Sequence, residues 1–290
     1  MAAAWGSPIL RENHAIYSSP GHGWHLDRAK FDRFIAQQAE ARGVTVVTGA
    51  AIEDVGRTEG GWNLRVSGGT RLQARFIADA TGRTAFLARR LGRSVVSLDP
   101  LMGFARFFPD TEKSDPRTLI EAAPDGWWYT ATLTGNQRIA TFMTDPDIAR
   151  AQRVDREPGW REALSQTSYV KAVVPASPSI DDLVRPAGSA YLEEPSGDGW
   201  IAVGDAACAH DPLSGQGITR ALRSGILASF AITDLLCKGS PMGLARYGRL
   251  VRHGWSGYLS ARHRYYAEER RWPERSFWQR RIPRTESPIA

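Results

Sequence analysis

The segment from Trp200 to Cys237 restricts the possible folds of this chain more than any other. Its first residues, Trp200 to Val203, form a short apolar run of the kind found in buried strands. A loop follows up to Gly217, and apolar residues then recur at helical spacing until Lys238-Gly239, a typical helix end. The segment therefore predicts a strand, a loop and a long helix in direct succession.

The loop of this segment carries the residue types that a flat, partly anionic ligand needs. Asp205, at the end of the strand, can accept hydrogen bonds from vicinal hydroxyls, and Pro212 stiffens the loop. The backbone N–H groups from Ser214 to Gly217 lie at the start of the helix, where the dipole favours negative charge. Gly215 and Gly217 lack Cβ atoms, so a ring can approach the backbone closely. Reduced flavin, charged at N1 and the adjacent carbonyl oxygen, suits such a site.

The sequence of the loop also resembles a known motif. Gly204-Asp205-Ala206-Ala207 and the stretch from Asp211 to Ile218 are similar to the second FAD motif of flavin-dependent aromatic hydroxylases, geranylgeranyl reductases and tryptophan halogenases. The resemblance implies that Asp205 binds the ribityl or ribose hydroxyls of FAD. It also implies that the rest of the loop lies beside the isoalloxazine, which makes cofactor-binding residues of Pro212, Ser214, Gly215, Gln216, Gly217 and Ile218.

Two more segments match this superfamily in the expected order along the chain. His25-Leu26-Asp27-Arg28 resembles the segment whose arginine contacts the flavin nucleotide, which makes Arg28 a candidate cofactor ligand. Ala78-Asp79-Ala80-Thr81-Gly82-Arg83 resembles the motif at which the chain returns beside the dinucleotide, which adds Gly82. Together the three motifs span residues 25 to 218 and imply an FAD/NAD(P)-binding, aromatic-hydroxylase-like fold of the α/β (α+β) class.

Local patterns predict the elements between these motifs. Asp27 is a candidate N-cap for a helix that ends at Gly43, and a short helix is expected over 85–91. Val44 to Thr48 is typical of a buried strand. Strands joined by glycine turns are predicted over 51–55, 62–66 and 70–77, and helices over 147–174.

Residues 101 to 145 predict an antiparallel meander, with hairpin turns at Asp125-Gly126 and Thr134-Gly135-Asn136. In the superfamily such a sheet roofs the substrate pocket. Trp127 and Trp128 fall on opposite faces of a strand, so one of them should line the pocket and the other should face solvent or a helix. Halogenases carry a Trp-x-Trp-x-x-Pro signature in a comparable sheet. This chain lacks that proline, which argues against a halogenase.

The superfamily begins with a strand, a Gly-x-Gly-x-x-Gly turn and a helix that seat the pyrophosphate. This sequence contains no such turn, and Gly21-His22-Gly23 lacks both the preceding strand and the third glycine. We therefore expect an N-terminally truncated fold that does not retain FAD by itself. The expected segments are a partial FAD-binding domain (1–97), a β-sheet substrate domain (98–192), a returning FAD-binding segment (193–240) and basic, aromatic C-terminal helices (241–290).

The C-terminal stretch is strongly basic. Residues 246 to 284 hold eleven arginines and three glutamates, a local charge of +8 in a chain of net charge +6. Such a stretch can attract an acidic partner, a membrane surface or nucleic acid. Aromatic residues at helical spacing favour packing onto the rest of the protein instead, and we predict no nucleic acid partner. The stretch also resembles flavoproteins that modify a tryptophan within a partner protein during quinone-cofactor maturation.

Other classes of protein are disfavoured by what the sequence contains. Cys208 and Cys237 form no metal-ligand pattern, and no apolar run reaches the ~18 residues that a membrane span requires. The first residues are too short and too weakly basic for a secretory signal. We therefore predict a cytoplasmic protein with no metal site and no transmembrane segment.

The sequence as a whole predicts an FAD-dependent monooxygenase that hydroxylates an aromatic group, with tryptophan as one candidate. A flavin-dependent halogenase is an alternative, and so is an inactive fragment or partner-binding protein. The expected partners are an aromatic small-molecule or polypeptide substrate and a flavin reductase or NAD(P)H as electron source. No catalytic residue can be assigned, because His210 and Asp211 beside the loop are best interpreted as a hydrogen-bonded structural pair.

Overall fold

The structure is a computed structural model and describes residues 1–12, 25–110 and 115–282. The chain divides into two compact units. The sheet unit comprises Met1–Gly43, Pro100–Ala187 and Ala261–Ala290, and the loop unit comprises Val44–Asp99 and Gly188–Ser260. Each unit is therefore assembled from stretches that are far apart in the sequence. The division into four consecutive segments stays a prediction.

The described strands are short, and most belong to sheets whose members come from distant parts of the chain. In chain order they are β1 (Ala2–Ala4), β2 (Arg11–Glu12), β3 (Ile52–Thr58), β4 (Gly61–Val66), β5 (Arg71–Ala74), β6 (Ile77–Asp79), β7 (Val95–Ser97), β8 (Met102–Pro109), β9 (Leu119–Ala123), β10 (Gly126–Leu133), β11 (Gln137–Thr144), β12 (Asp181–Pro186), β13 (Ala190–Leu192), β14 (Ser196–Gly197), β15 (Trp200–Ala202) and β16 (Cys208–Ala209).

The described α-helices include two long ones near the C-terminus. In chain order they are α1 (Arg28–Glu40), α2 (Phe86–Arg90), α3 (Pro146–Gln152), α4 (Glu157–Ser165), α5 (Val170–Val173), α6 (Gly217–Lys238), α7 (Met242–Glu268) and α8 (Ser276–Gln279). Asp27 caps α1 as predicted, since its side chain accepts a hydrogen bond from the backbone N–H of Lys30 at 3.1 Å.

The sheet unit is built on a seven-stranded sheet with the order β12-β8-β11-β10-β9-β1-β2. Its centre is the predicted antiparallel meander, in which Trp128 lies opposite Phe142 on β11 and Glu121 on β9. At the start of the chain, β1 pairs in parallel with β9. The three alanines of β1 show no alternation of polar and apolar residues, so this strand can be recognised only from its pairing with β9. Gly21-His22-Gly23 lies outside the described residues.

Much of the basic C-terminal stretch packs within the protein. Of the seven aromatic residues from Trp255 to Trp278, five are buried, namely Trp255, Tyr258, Tyr266, Phe277 and Trp278. In the sheet unit, the guanidinium of Arg281 donates to both carboxylate oxygens of Asp145, at 3.0 and 2.5 Å, and both side chains are fully buried. The packing interpretation is confirmed for these residues.

The loop unit contains three small sheets, with the orders β3-β4-β5, β14-β15-β6 and β16-β13-β7. The strands predicted over 51–55, 62–66 and 70–77 are present, the last as β5 and β6. The strand expected from Val44 to Thr48 is absent: no described strand pairs with it, and the side chains of Val44 and Val47 are 54% and 66% exposed. A buried-type apolar run becomes a strand only when a neighbour supplies hydrogen bonds.

Helix α6 follows the predicted bounds, and Gly239 ends it in the left-handed conformation at φ +66°. Only Ala228 and Ala231 are buried along its 22 residues. Leu222, Ile226 and Phe230, four residues apart, are 45%, 58% and 65% exposed, so one apolar face of this helix is uncovered.

Among the described residues, no helix is both long enough and apolar enough to cross a membrane. Within the same part of the chain, no group of three or more His, Cys, Asp or Glu side chains is arranged to hold a metal ion.

Candidate functional site

Two neighbouring strands of the loop unit, β6 and β15, end at the same edge of a sheet, so the predicted motifs that follow them lie close together. β15 pairs in parallel with β6, with Ala202 opposite Asp79, and the N–H of Val203 donates to the carbonyl of Asp79 at 2.9 Å. The carboxyl ends of parallel strands lie at the same edge of a sheet, which is where α/β proteins bind ligands. The structure therefore brings Gly82, which follows β6, close to Asp205, which follows β15.

Asp79 shapes the turn after β6. This carboxylate is 2% exposed. One oxygen accepts from the N–H and the hydroxyl of Thr81, at 3.0 and 2.6 Å, and the other accepts from the N–H groups of Leu87 and Ala88, at 2.9 and 3.2 Å. The side chain thus holds the turn and the first N–H groups of α2 together. Gly82 lies inside this turn at φ +68°, a conformation that glycine adopts without strain.

Arg83 joins this turn to the loop after β15, a role that the sequence analysis missed. Its Nε lies 3.4 Å from a carboxylate oxygen of Asp205. Its terminal nitrogens donate to the carbonyl of His210 at 2.7 Å and to the carbonyl of Gly188. The only signal in the sequence was its position directly after Gly82. Asp205 remains 38% exposed at the side chain, so it can still accept hydrogen bonds from a ligand.

The glycine loop reaches the start of α6 through a tight turn. Asp211 begins this turn, and its side chain accepts from the N–H of Leu213 at 2.9 Å. Gly215 closes it at φ +62°. Gln216, the N-cap of α6, makes no capping hydrogen bond with its side chain, and the first turn carries no acidic residue. The first N–H groups of α6 have no partner within the helix and are available to an anionic ligand.

The space around this loop suits a flat cofactor. A Cβ atom placed on Gly82, Gly215 or Gly217 would meet no other atom within 4 Å. The predicted loop residues Pro212, Gly215, Gln216 and Gly217 are exposed, and Ser214 and Ile218 are half-buried. Open space beside bare glycines, free helix N–H groups and a half-exposed carboxylate fit the isoalloxazine and ribityl parts of FAD.

His210 and Cys208 belong to the loop between Asp205 and Ile218 but are unsuited to act as base or nucleophile. His210 Nε2 accepts from Arg220 at 2.8 Å, which places the ring proton on Nδ1. Burial, followed by the charges of Arg220 and Arg83, lowers the pKa of His210 to about 3. Burial raises the pKa of Cys208 to about 12, so the thiol stays protonated near neutral pH. Both residues are therefore neutral. That His210 and Asp211 form a hydrogen-bonded structural pair stays a prediction.

The other predicted site residues belong to the sheet unit. Arg28, the first residue of α1, is exposed and forms an ion pair with Asp32 at 3.2 Å. Its predicted contact with the flavin nucleotide stays a prediction.

Trp127 and Trp128 lie on opposite faces of β10, as expected, but both are buried, at 1% and 0% exposed. Trp128 stacks on Phe142 and meets Trp160 of α4 edge-on. Trp127 packs against Trp5 and donates to the hydroxyl of Tyr266 at 3.1 Å. The expectation that one of the two lines an open pocket is corrected, because other aromatic rings cover both.

A family model and a relative both match most of this chain. A family model described as tryptophan halogenase matches residues 3–288. LodB of Marinomonas mediterranea, described as an FAD-dependent oxidoreductase, is 30% identical over 284 residues, which are 96% of this chain and 76% of LodB.

Two solved structures share the fold. The flavin-dependent halogenase CmlS is 21% identical, with a TM-score of 0.86 over 99% of this chain and 55% of its own. The peptidyl tryptophan dihydroxylase QhpG, described as essential for tryptophylquinone cofactor biogenesis, is 24% identical, with a TM-score of 0.70 over 100% of this chain and 65% of its own.

These matches confirm the predicted superfamily, the aromatic-hydroxylase-like fold class and FAD as the cofactor. The chain spans 76% of the length of LodB, 65% of QhpG and 55% of CmlS. The family model covers nearly the whole sequence, and the chain therefore belongs to the tryptophan halogenase family of flavoproteins.

Proposed function

We propose that this protein oxidises an aromatic substrate, with the indole of a tryptophan as the leading candidate, using FAD held at the loop from Asp205 to Ile218. The observation that carries the proposal is the open space at Gly215 and Gly217 beside the uncapped start of α6. The names of the relatives, LodB, CmlS and QhpG, support an oxidoreductase that uses flavin.

In this proposal each predicted cofactor-binding residue of the loop unit has a positioning role. Asp205 accepts hydrogen bonds from the ribityl or ribose hydroxyls, and Gly82, Gly215 and Gly217 let the cofactor approach the backbone. Pro212, Ser214, Gln216 and Ile218 shape the loop beside the flavin ring. FAD supplies the redox chemistry when bound. The N-terminal N–H groups of α6 favour the negative charge of the reduced ring.

Hydroxylation is favoured by the sequence of β10. Its Trp127-Trp128-Tyr129-Thr130 stretch lacks the proline of the halogenase signature, and QhpG, named a dihydroxylase of peptidyl tryptophan, matches the whole chain. Halogenation is supported by the family model and by the higher TM-score to CmlS. We therefore keep both reactions, with an oxygen atom or a halogen atom as the group transferred.

Halide dependence separates the two reactions. The protein would be supplied with chemically reduced FAD, oxygen and a tryptophan-containing peptide, with and without bromide, and the peptide analysed by mass spectrometry. Hydroxylation adds the mass of oxygen in both conditions. A product with the two-isotope pattern of bromine, formed only with bromide, would show halogenation instead. The same assay with free tryptophan distinguishes a polypeptide from a small-molecule substrate.

Asp205→Asn is expected to weaken FAD binding about tenfold or more. The substitution removes the charge from a hydrogen bond to a sugar hydroxyl, and charge-assisted hydrogen bonds contribute about 1.5–3 kcal/mol. Arg83 keeps its two carbonyl partners, so the turn should persist. Flavin fluorescence titration measures the affinity. Asp198→Asn is the control, because Asp198 is an exposed residue in the turn before β15. Equal FAD affinities for both variants would show that Asp205 does not bind the cofactor.

The electron source and the substrate are also proposals. The electron source is a flavin reductase or NAD(P)H, and the substrate is an aromatic small molecule or a polypeptide. The cytoplasmic location and the contact of Arg28 with the nucleotide stay predictions. An inactive fragment or a partner-binding protein is the alternative from a different class, and a colourless, FAD-insensitive protein would favour it.

A further inference from the structure

A buried tyrosine on α7 lies directly against the loop that we assign to the flavin. The hydroxyl of Tyr258 accepts a hydrogen bond from the N–H of Asp211 at 2.9 Å and shares a second hydrogen bond with Ser189 Oγ at 2.5 Å. Its ring stacks on the imidazole of His210, with ring centroids 3.8 Å apart and 24° between the planes. Tyr258 is 8% exposed. One side chain therefore contacts two consecutive residues of the loop.

The contact with Asp211 fixes the tight turn that leads to α6. Asp211 is 1% exposed, its side chain accepts from the N–H of Leu213, and its carbonyl accepts from the N–H of Ser214 at 3.1 Å. Gly215 then donates to the carbonyl of Pro212 at 2.9 Å. These hydrogen bonds fix the position of Gly215 relative to Asp211, and Gly215 lies two residues before the helix begins.

The contact with His210 connects the loop to α6 by a second route. The stacked imidazole presents Nε2 to Arg220, which belongs to the first turns of α6 and donates at 2.8 Å. A stacked ring has less rotational freedom than an unsupported one, so Tyr258 keeps Nε2 turned toward Arg220. The loop is held at residues 210 and 211 and, through Arg220, at the start of the helix.

We infer that Tyr258 is a positioning residue for the flavin-binding loop, which holds the backbone from Asp211 to Gly217 where the ring of FAD can lie against it. The inference rests on the proposed flavin site. Tyr258 does not touch the reacting atoms in this assignment. It acts through Asp211 and His210, and its loss should alter the loop more than the rest of the loop unit.

The helix itself offers a matched control. Tyr247, also on α7, is 2% exposed, and its hydroxyl donates to the carbonyl of Ala202 at 2.7 Å. Tyr258→Phe and Tyr247→Phe each remove one hydroxyl from a buried ring on the same helix, so their costs in stability should be similar. Of the two hydroxyls, that of Tyr258 bonds to Asp211 and that of Tyr247 bonds to β15. The Tyr258 variant should therefore change the turn from Asp211 to Gly217, and the Tyr247 variant should not.

The test compares both variants with the wild-type chain in three measurements. Hydrogen–deuterium exchange of the amides from Asp211 to Gly217 should be about tenfold faster in Tyr258→Phe and unchanged in Tyr247→Phe. FAD affinity from fluorescence titration should fall about tenfold in Tyr258→Phe and less than about twofold in the control. At saturating FAD, the shape of the flavin absorption band should change only in Tyr258→Phe.

Three results would overturn the inference. Exchange and affinity equal to wild type in Tyr258→Phe would show that the hydroxyl does not hold the loop. Faster exchange with unchanged affinity, while Gly217→Val still loses FAD, would show that the position of the loop does not matter to the cofactor. If Gly217→Val also binds FAD normally, the proposed site itself is wrong, and the role of Tyr258 in flavin binding is lost with it.

Discussion

Gly217→Val is expected to lower FAD affinity on the order of 100-fold while the protein keeps its fold. Gly217 opens α6, and a Cβ at this position meets no protein atom within 4 Å. The apoprotein should therefore accommodate valine, with the free energy of unfolding changed by less than about 0.5 kcal/mol. The added methyl groups occupy the space that we assign to the flavin ring, and such overpacking costs about 1–3 kcal/mol.

Gly225→Val is the matched control for this experiment. Gly225 lies two turns further along α6, and a Cβ there also meets nothing within 4 Å. Both substitutions thus place the same side chain at an open position of the same helix. Flavin fluorescence titration and urea unfolding, measured on both proteins, separate binding from stability. Normal FAD affinity in Gly217→Val would show that this loop does not face the isoalloxazine.

Asp79→Ala is expected to lower the free energy of unfolding by about 3–5 kcal/mol. The carboxylate is buried and accepts four hydrogen bonds, from Thr81, Leu87 and Ala88. Alanine leaves these donors without partners, and each unsatisfied buried group costs about 1–3 kcal/mol. The turn that holds Gly82 and Arg83 should loosen as a result, and FAD affinity should fall together with stability.

Asp54→Ala provides the comparison for Asp79. Asp54 pairs with Arg90 at the surface, where both side chains are about half exposed. Exposed ion pairs contribute little to stability, so this variant should unfold close to the wild-type urea concentration. Equal unfolding midpoints for the two variants would mean that the hydrogen bonds of Asp79 do not organise the turn. FAD affinity equal to wild type in Asp79→Ala would show that the turn after β6 does not contribute to the cofactor site.

Much of the local structure could be predicted because it depends on residues close together in the sequence. The cap at Asp27, the glycine end of α6 at Gly239 and the hairpins of the meander each involve residues a few positions apart. The loop from Asp205 to Ile218 could be identified in the same way, since its carboxylate, proline and glycines follow one another directly.

Predictions that depended on distant partners were less successful. Val44 to Thr48 has the composition of a strand, but strand formation requires a neighbour, and no described strand lies beside it. The alternation of Trp127 and Trp128 was correct, whereas their exposure depended on Trp5, Tyr266 and Trp160, which come from other parts of the chain. A pattern within one strand cannot reveal what covers each face.

The sequence by itself determined the order of strand, loop and helix, the superfamily and the cofactor, because these follow from contiguous motifs. Only the tertiary structure decided how the loop is held. The parallel pairing of β6 with β15 brings Arg83 to Asp205, and the packing of α7 brings Tyr258 to His210 and Asp211. These contacts join residues that lie from about 50 to more than 100 positions apart in the sequence. They exist because hydrogen bonding and burial select one arrangement of the whole chain, and no local pattern encodes that arrangement.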